Sequence, residues 1–134
     1  MVKLIRLEFE DGYGIFRSYN NHLHVDRWSV NIPYFNPLDP DYSICCEIVD
    51  RHDRFKTPYE DGFKQMTINH FCGFKNLNQL TEWFTMEELH FLINKGCKIY
   101  SISVTEIEFE GEFQVIYDKE KITEKNDISK LFFN

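Results

Sequence analysis

The residues best suited to chemistry fall in three groups. The first joins Arg17-Ser18, His22-Leu23-His24 and the run Asp50-Arg51-His52-Asp53-Arg54. Two histidines one residue apart on a strand turn both rings to one face, where they can bind a metal. A site would need a third ligand, such as His52 or Asp53, so no metal centre is assigned. Read without function, His22 and His24 are two partly exposed loop histidines, and the Asp-Arg-His-Asp-Arg run is a solvated loop that neutralises its own charge. The second group is Thr57-Pro58-Tyr59-Glu60-Asp61-Gly62 with His70-Phe71-Cys72-Gly73-Phe74. Thr57-Pro58 and Glu60-Asp61-Gly62 are turn chemistry. Gly73, between Cys72 and Phe74, marks a close backbone approach just before a helix, where amides can hold an anion. Cys72 and His70 have the types of a nucleophile and its base, but i,i+2 spacing alone does not bring them together. The plainer reading of Cys72 is a buried structural thiol. The third group is Trp83-Phe84, which reads as packing first and as a ligand-stacking pair second.

These side chains need elements to carry them. Residues 2–10 alternate, with Lys3, Ile5, Leu7 and Phe9 on one side and Val2, Leu4, Arg6 and Glu8 on the other. Asp11-Gly12 follows, a strong turn signal because Gly accepts positive φ at no steric cost, so an opening hairpin is expected over 2–18. From 19 to 62 the pattern breaks, and all four prolines fall there. Proline removes a backbone donor and pushes its predecessor toward extended geometry, so a long irregular segment is expected, broken by a short strand around Tyr42–Ile48.

The helical region spans about 77–95. Asn76 with Gln79, and Thr85 with Glu88, are two capping signatures, and Leu77, Leu80, Phe84, Met86, Leu89, Leu92 and Ile93 make an apolar stripe. Two abutting helices fit better than one, because a cap inside a continuous helix has nothing to do. Gly96 suits the position just past a helix end. Alternation returns over 98–117, with Tyr100, Ile102 and Val104 on one face, as are Phe113, Val115 and Tyr117. The turn Glu110-Gly111-Glu112 predicts a second hairpin there. The tail is charged until Ile128 and ends in Leu131-Phe132-Phe133, which is expected to dock on the core or meet a partner. The expectation is an α+β fold: a mostly antiparallel sheet from two hairpins, packed with one or two helices, in a single domain over 1–134.

Whole-chain properties narrow the function. The chain has 134 residues, 43% of them hydrophobic and 16% aromatic, which argues for a packed core rather than disorder. Its net charge of −7 disfavours nucleic acid and anionic membranes as direct partners and suits a basic protein surface. Cys45 and Cys46 are neighbours, which rarely suits a disulfide framework, and no CxxC pair occurs, so free thiols in a reducing cytoplasm are expected. Early charge in Met1-Val2-Lys3-Leu4-Ile5-Arg6 does not fit a signal peptide, and no apolar run approaches transmembrane length.

The order of short signals resembles small proteins of bacteriophages and related mobile elements. It runs Phe16-Arg17-Ser18, Thr57-Pro58-Tyr59-Glu60-Asp61, Cys72-Gly73-Phe74-Lys75-Asn76-Leu77 with Gln79-Leu80 and Trp83-Phe84, then Gly96 and Phe113-Gln114-Val115-Ile116-Tyr117. The resemblance implies an accessory protein that binds, and inhibits or redirects, a host protein; the absence of a complete catalytic set favours binding over catalysis, and no cofactor is expected apart from an NAD-related nucleotide in the alternative below. The layout is also faintly similar to the ADP-ribosyltransferase fold, with Arg17 matching the first-strand position and Gln114 standing where the late-strand acid is expected. Glutamine lacks the charge that stabilises an oxocarbenium-like centre. That second resemblance implies, as the alternative function, an NAD-derived nucleotide either bound without turnover or used by an ADP-ribosyltransferase-like enzyme; the candidate ligand-binding residues are Arg17, Ser18, His24, His52, Thr57, Asp61, Cys72, Gly73, Phe74, Trp83 and Gln114.

Overall fold

The alternating segment at the start of the chain forms strand β1 (Val2–Glu8), and both of its faces are buried. The computed structural model describes residues 1–10, 12–14, 43–44, 47–48 and 58–133. Along them run helix α1 (Pro58–Asp61), strand β2 (His70–Gly73), helices α2 (Leu77–Trp83) and α3 (Met86–Asn94), and strand β3 (Lys98–Val104). Strands β4 (Phe109–Glu110), β5 (Val115–Asp118) and β6 (Ile122–Asp127) follow, with short 3-10 turns at Lys119–Lys121 and Ser129–Phe133. The strands make two antiparallel three-stranded sheets, ordered β1-β3-β6 and β2-β5-β4. The α+β class and antiparallel pairing expected from the sequence are present.

The pairing partners differ from two simple hairpins. The Asp-Gly turn forms, with Gly12 at φ 84° and its N–H donating to the Phe9 carbonyl at 2.9 Å. Residues 15–18 lie outside the described residues, and the ladder that β1 makes is with β3, from Val2↔Val104 to Glu8↔Lys98. Likewise β3 does not fold back on 113–117. It lies between β1 and β6, while the turn at Gly111, whose N–H donates to the Gln114 carbonyl at 2.9 Å, joins β4 to β5. The cause is burial: Ile99, Ile102 and Val104 leave both faces of β3 dry, which fits a central strand. The charged tail also holds a strand. β6 pairs with β3 from Ile122↔Val104 to Asp127↔Tyr100, its side chains mostly exposed at the sheet edge. The strand expected around Tyr42–Ile48 is corrected too, since its described residues Ser43, Ile44, Glu47 and Ile48 are helical. Ile44 and Ile48, four residues apart, then reach the same core.

The core lies on both sides of the first sheet. Leu7 and Ile99 pack with Leu80, Trp83, Phe84, Leu89, Leu92 and Phe132. From the other face Leu4, Ile102 and Val104 meet Val115 and Tyr117 of the second sheet. Each such fully buried aliphatic side chain contributes about 1.5–3 kcal/mol against exposure. The helices are two, as the caps predict. The Asn76 side chain accepts from Gln79 N at 2.9 Å, and Thr85 and Glu88 form a complete reciprocal box at 3.1 and 3.0 Å. Gly96 sits at φ 103° just past the end of α3. Leu77 and Met86 depart from the expected stripe, because as first residues of their helices they stay 44% exposed. The terminal apolar residues divide: Phe132 is buried, while Leu131 and Phe133 remain largely exposed, the Phe133 ring stacked on His90 at 4.9 Å.

Candidate functional site

Arg17, Ser18, His24, His52 and Thr57 lie outside the described residues. The other sequence candidates have structural work. The Asp61 carboxylate accepts from Glu112 N at 3.1 Å and from Phe113 N at 3.3 Å. The Trp83 indole N–H donates to the Phe113 carbonyl at 2.8 Å, and the Gln79 amide to the Glu112 carbonyl at 3.3 Å. Three side chains from two helices thus clamp the backbone of the β4–β5 turn. Gln114, next in the chain, is buried.

Gly73 does mark a close approach, but the neighbour is protein. Phe74 and Ile5 exchange both backbone hydrogen bonds at 2.8 Å, joining the two sheets, and a Cβ on Gly73 would stand 3.1 Å from the Ile5 carbonyl oxygen. Phe74 meets Trp83 edge-on at 6.0 Å. His70 Nδ1 accepts from Thr67 N at 3.0 Å, so that nitrogen is spent on a local turn rather than on Cys72.

The sequence reading passed over the cleft between the two sheets. Arg6 and Glu8 share the inward face of β1 with Leu4 and are about as buried, at 6% and 5% exposure. Burying such charges is tolerable only when they are paired and hydrogen-bonded. The Arg6 guanidinium donates from Nε to Glu8 Oε2 at 3.1 Å, from Nη1 to the Cys72 carbonyl at 2.6 Å and from Nη2 to the Gly12 carbonyl at 3.0 Å. It lies 4.8 Å from the Phe71 ring centre. Lys125 reaches across Tyr100 to the second oxygen of Glu8. The cleft measures about 350 Å³, and Tyr117, Ile102, Ile122 and Lys119 also line it. Burial, opposed by Arg6, pushes the Tyr117 phenol up to about 12, so it stays protonated at neutral pH. Burial followed by Glu8 also raises Tyr100. The signal in the sequence was a charged pair, Arg6 and Glu8, continuing an otherwise apolar strand face.

The second exposed feature is a row of carboxylates. Glu106, Glu108, Glu110 and Glu112 are exposed while Ile107, Phe109, Gly111 and Phe113 are half-buried, an alternation that runs through the short β4 and the irregular chain and turn on either side of it. Lys121 pairs with Glu106 and, at 3.2 Å, with Glu108. Glu110 and Glu112 have no ion pair among the described residues. Among those residues, no cluster of His, Cys, Asp and Glu could hold a metal, and no helix is long and apolar enough to cross a membrane.

No curated protein and no solved structure matches the chain, and the ADP-ribosyltransferase resemblance gains no support. A family model described as Bacteriophage T4 Y00F protein matches residues 2–130, nearly the whole chain. The protein with this clamped acidic turn and charged inter-sheet cleft belongs to that bacteriophage family.

Proposed function

We propose that this phage accessory protein acts by binding, inhibiting or redirecting a host protein through a basic surface on its partner. The observation that carries the reading is the run of exposed glutamates through β4 and the chain on either side of it, from Glu106 to the β4–β5 turn, with Glu110 and Glu112 unpaired among the described residues. An exposed row of one sign on a fixed turn steers a complementary surface and sets orientation more than it adds affinity. Asp61, Gln79 and Trp83 hold that turn through its backbone, which leaves the glutamate side chains outward on a rigid base.

The test is capture of partners from host lysate at low ionic strength, comparing the native chain with Glu110→Lys/Glu112→Lys. Both side chains are exposed, so the variant keeps its fold, checked by circular dichroism. The reading expects a specific partner held by the native chain and weakened about tenfold or more by the double reversal. Retention unaffected by the reversal, or no partner at all, would overturn it.

A further inference from the structure

Among the described residues, the cleft between the sheets carries more positive charge than its carboxylates neutralise. Glu8 is shared between Arg6 and Lys125, so one interior carboxylate serves two cations. On the opposite wall Lys119 lies 5.5 Å from the Phe71 ring centre and has no ion pair among the described residues. Glu120, the other acid lining the cleft, is exposed. Arg6 directs three of its five N–H groups to Glu8, Cys72 and Gly12, which leaves one on each terminal nitrogen without an acceptor among the described residues. A buried donor without an acceptor is costly, and an oxyanion is the natural group to receive it. Stitching the sheets together needs only the Cys72 contact, and holding the turn after β1 only the Gly12 contact. It requires neither the surplus donors nor Lys119.

The rest of the lining is apolar, with Phe71, Ile102, Ile122 and the Tyr117 ring. The volume of about 350 Å³ falls at the small end of organic-ligand pockets. The geometry points to a binding site for a small organic phosphate of mononucleotide size, its phosphate on Arg6 and Lys119 and its body against Ile102, Ile122 and Tyr117. A doubly charged phosphate matches two cations that both lie against the Phe71 ring better than a single carboxylate does. The site is independent of the acidic row and stands or falls separately from the protein-binding reading.

The experiment measures melting temperature and amide chemical shifts with adenosine 5′-monophosphate, ribose 5-phosphate, inorganic phosphate and adenosine at low salt. At about 10 mM the two organic phosphates should raise the melting temperature by about 3 °C and move the Gly12, Phe71 and Lys119 amides. Inorganic phosphate should do less and adenosine nothing. Lys119→Glu makes no change to any ion pair among the described residues, so the variant should fold, and it should lose the shift. Lys119→Arg should keep it. The proposal is overturned if neither organic phosphate shifts the protein, if Lys119→Glu responds like the native chain, or if adenosine or inorganic phosphate alone does as well.

Discussion

Replacing Gly111 with alanine tests the clamp on the acidic turn, because the site needs space rather than an unusual backbone angle. A Cβ there would fall onto the Asp61 carboxylate and within 2.8 Å of the Phe109 ring. The carboxylate cannot simply swing aside, since it accepts the Glu112 and Phe113 amides at 3.1 and 3.3 Å. Both bonds are partly exposed, so each is worth about 1 kcal/mol, and Asp61→Ala should cost about 2 kcal/mol. Gly111→Ala should forfeit the same bonds and add compression against Phe109, for about 3 kcal/mol in all. The two costs overlap, so the double variant should also lose about 3 kcal/mol, a coupling energy of about 2 kcal/mol. Urea unfolding followed by tryptophan fluorescence reads all four corners of this cycle. Near 4 °C per kcal/mol, thermal melts should give the same ranking. Losses that add to within about 0.5 kcal/mol would show that Asp61 does not occupy the space beside Gly111, and the clamp would be wrong.

Tyr117 makes the alkaline limb of stability predictable. Its folded proton is held to about 12 against an ordinary 10.0, so above pH 10 the unfolded chain binds fewer protons and stability falls until about pH 12. That decline, up to about 1.4 kcal/mol per pH unit from this group, should flatten in Tyr117→Phe when both are unfolded by urea across pH 9–12. Trp83→Phe keeps most of the ring packing but loses the 2.8 Å bond to the Phe113 carbonyl, and should cost about 1–2 kcal/mol by denaturant titration. Burial raises the Cys97 thiol well above its usual range, while Cys72 is partly exposed. Peptide mapping after maleimide treatment should therefore find Cys72 labelled before Cys97, which stays protected until the chain unfolds.

Local signals were legible where local chemistry decides the structure. The Asn76 and Thr85 caps, the split into two helices, Gly96 and both tight turns could be read because each rests on a few neighbouring residues. The two faces of β1 were also readable, but not that both would be covered, since that depends on strands about a hundred residues away. β6 was hidden because Thr123 to Asp127 are exposed edge residues with no apolar period to detect. Among site residues, Gly73 was singled out for a close approach that does occur, though to Ile5 rather than an anion. Arg6 was missed because an arginine on an alternating strand reads as an outward residue, and only the Cys72 and Gly12 carbonyls give it a reason to be inside.

The order β1-β3-β6 has a consequence for how the chain is made. Strand β1 is synthesised about a hundred residues before its partner, residues 98–104, and that central strand is flanked in turn by residues 122–127. At synthesis rates of about 5–20 residues per second, β1 waits several seconds with both apolar faces uncovered. Its Ile5 link to Phe74 is the earliest long-range pairing available, and it forms before the first sheet can. Among the described residues, a nascent chain stopped short of β3 has only the Ile5–Phe74 bridge to pair with its opening strand. Folding is tied to completion of the C-terminal third, and the long sequence separations predict a slow, late-closing first sheet.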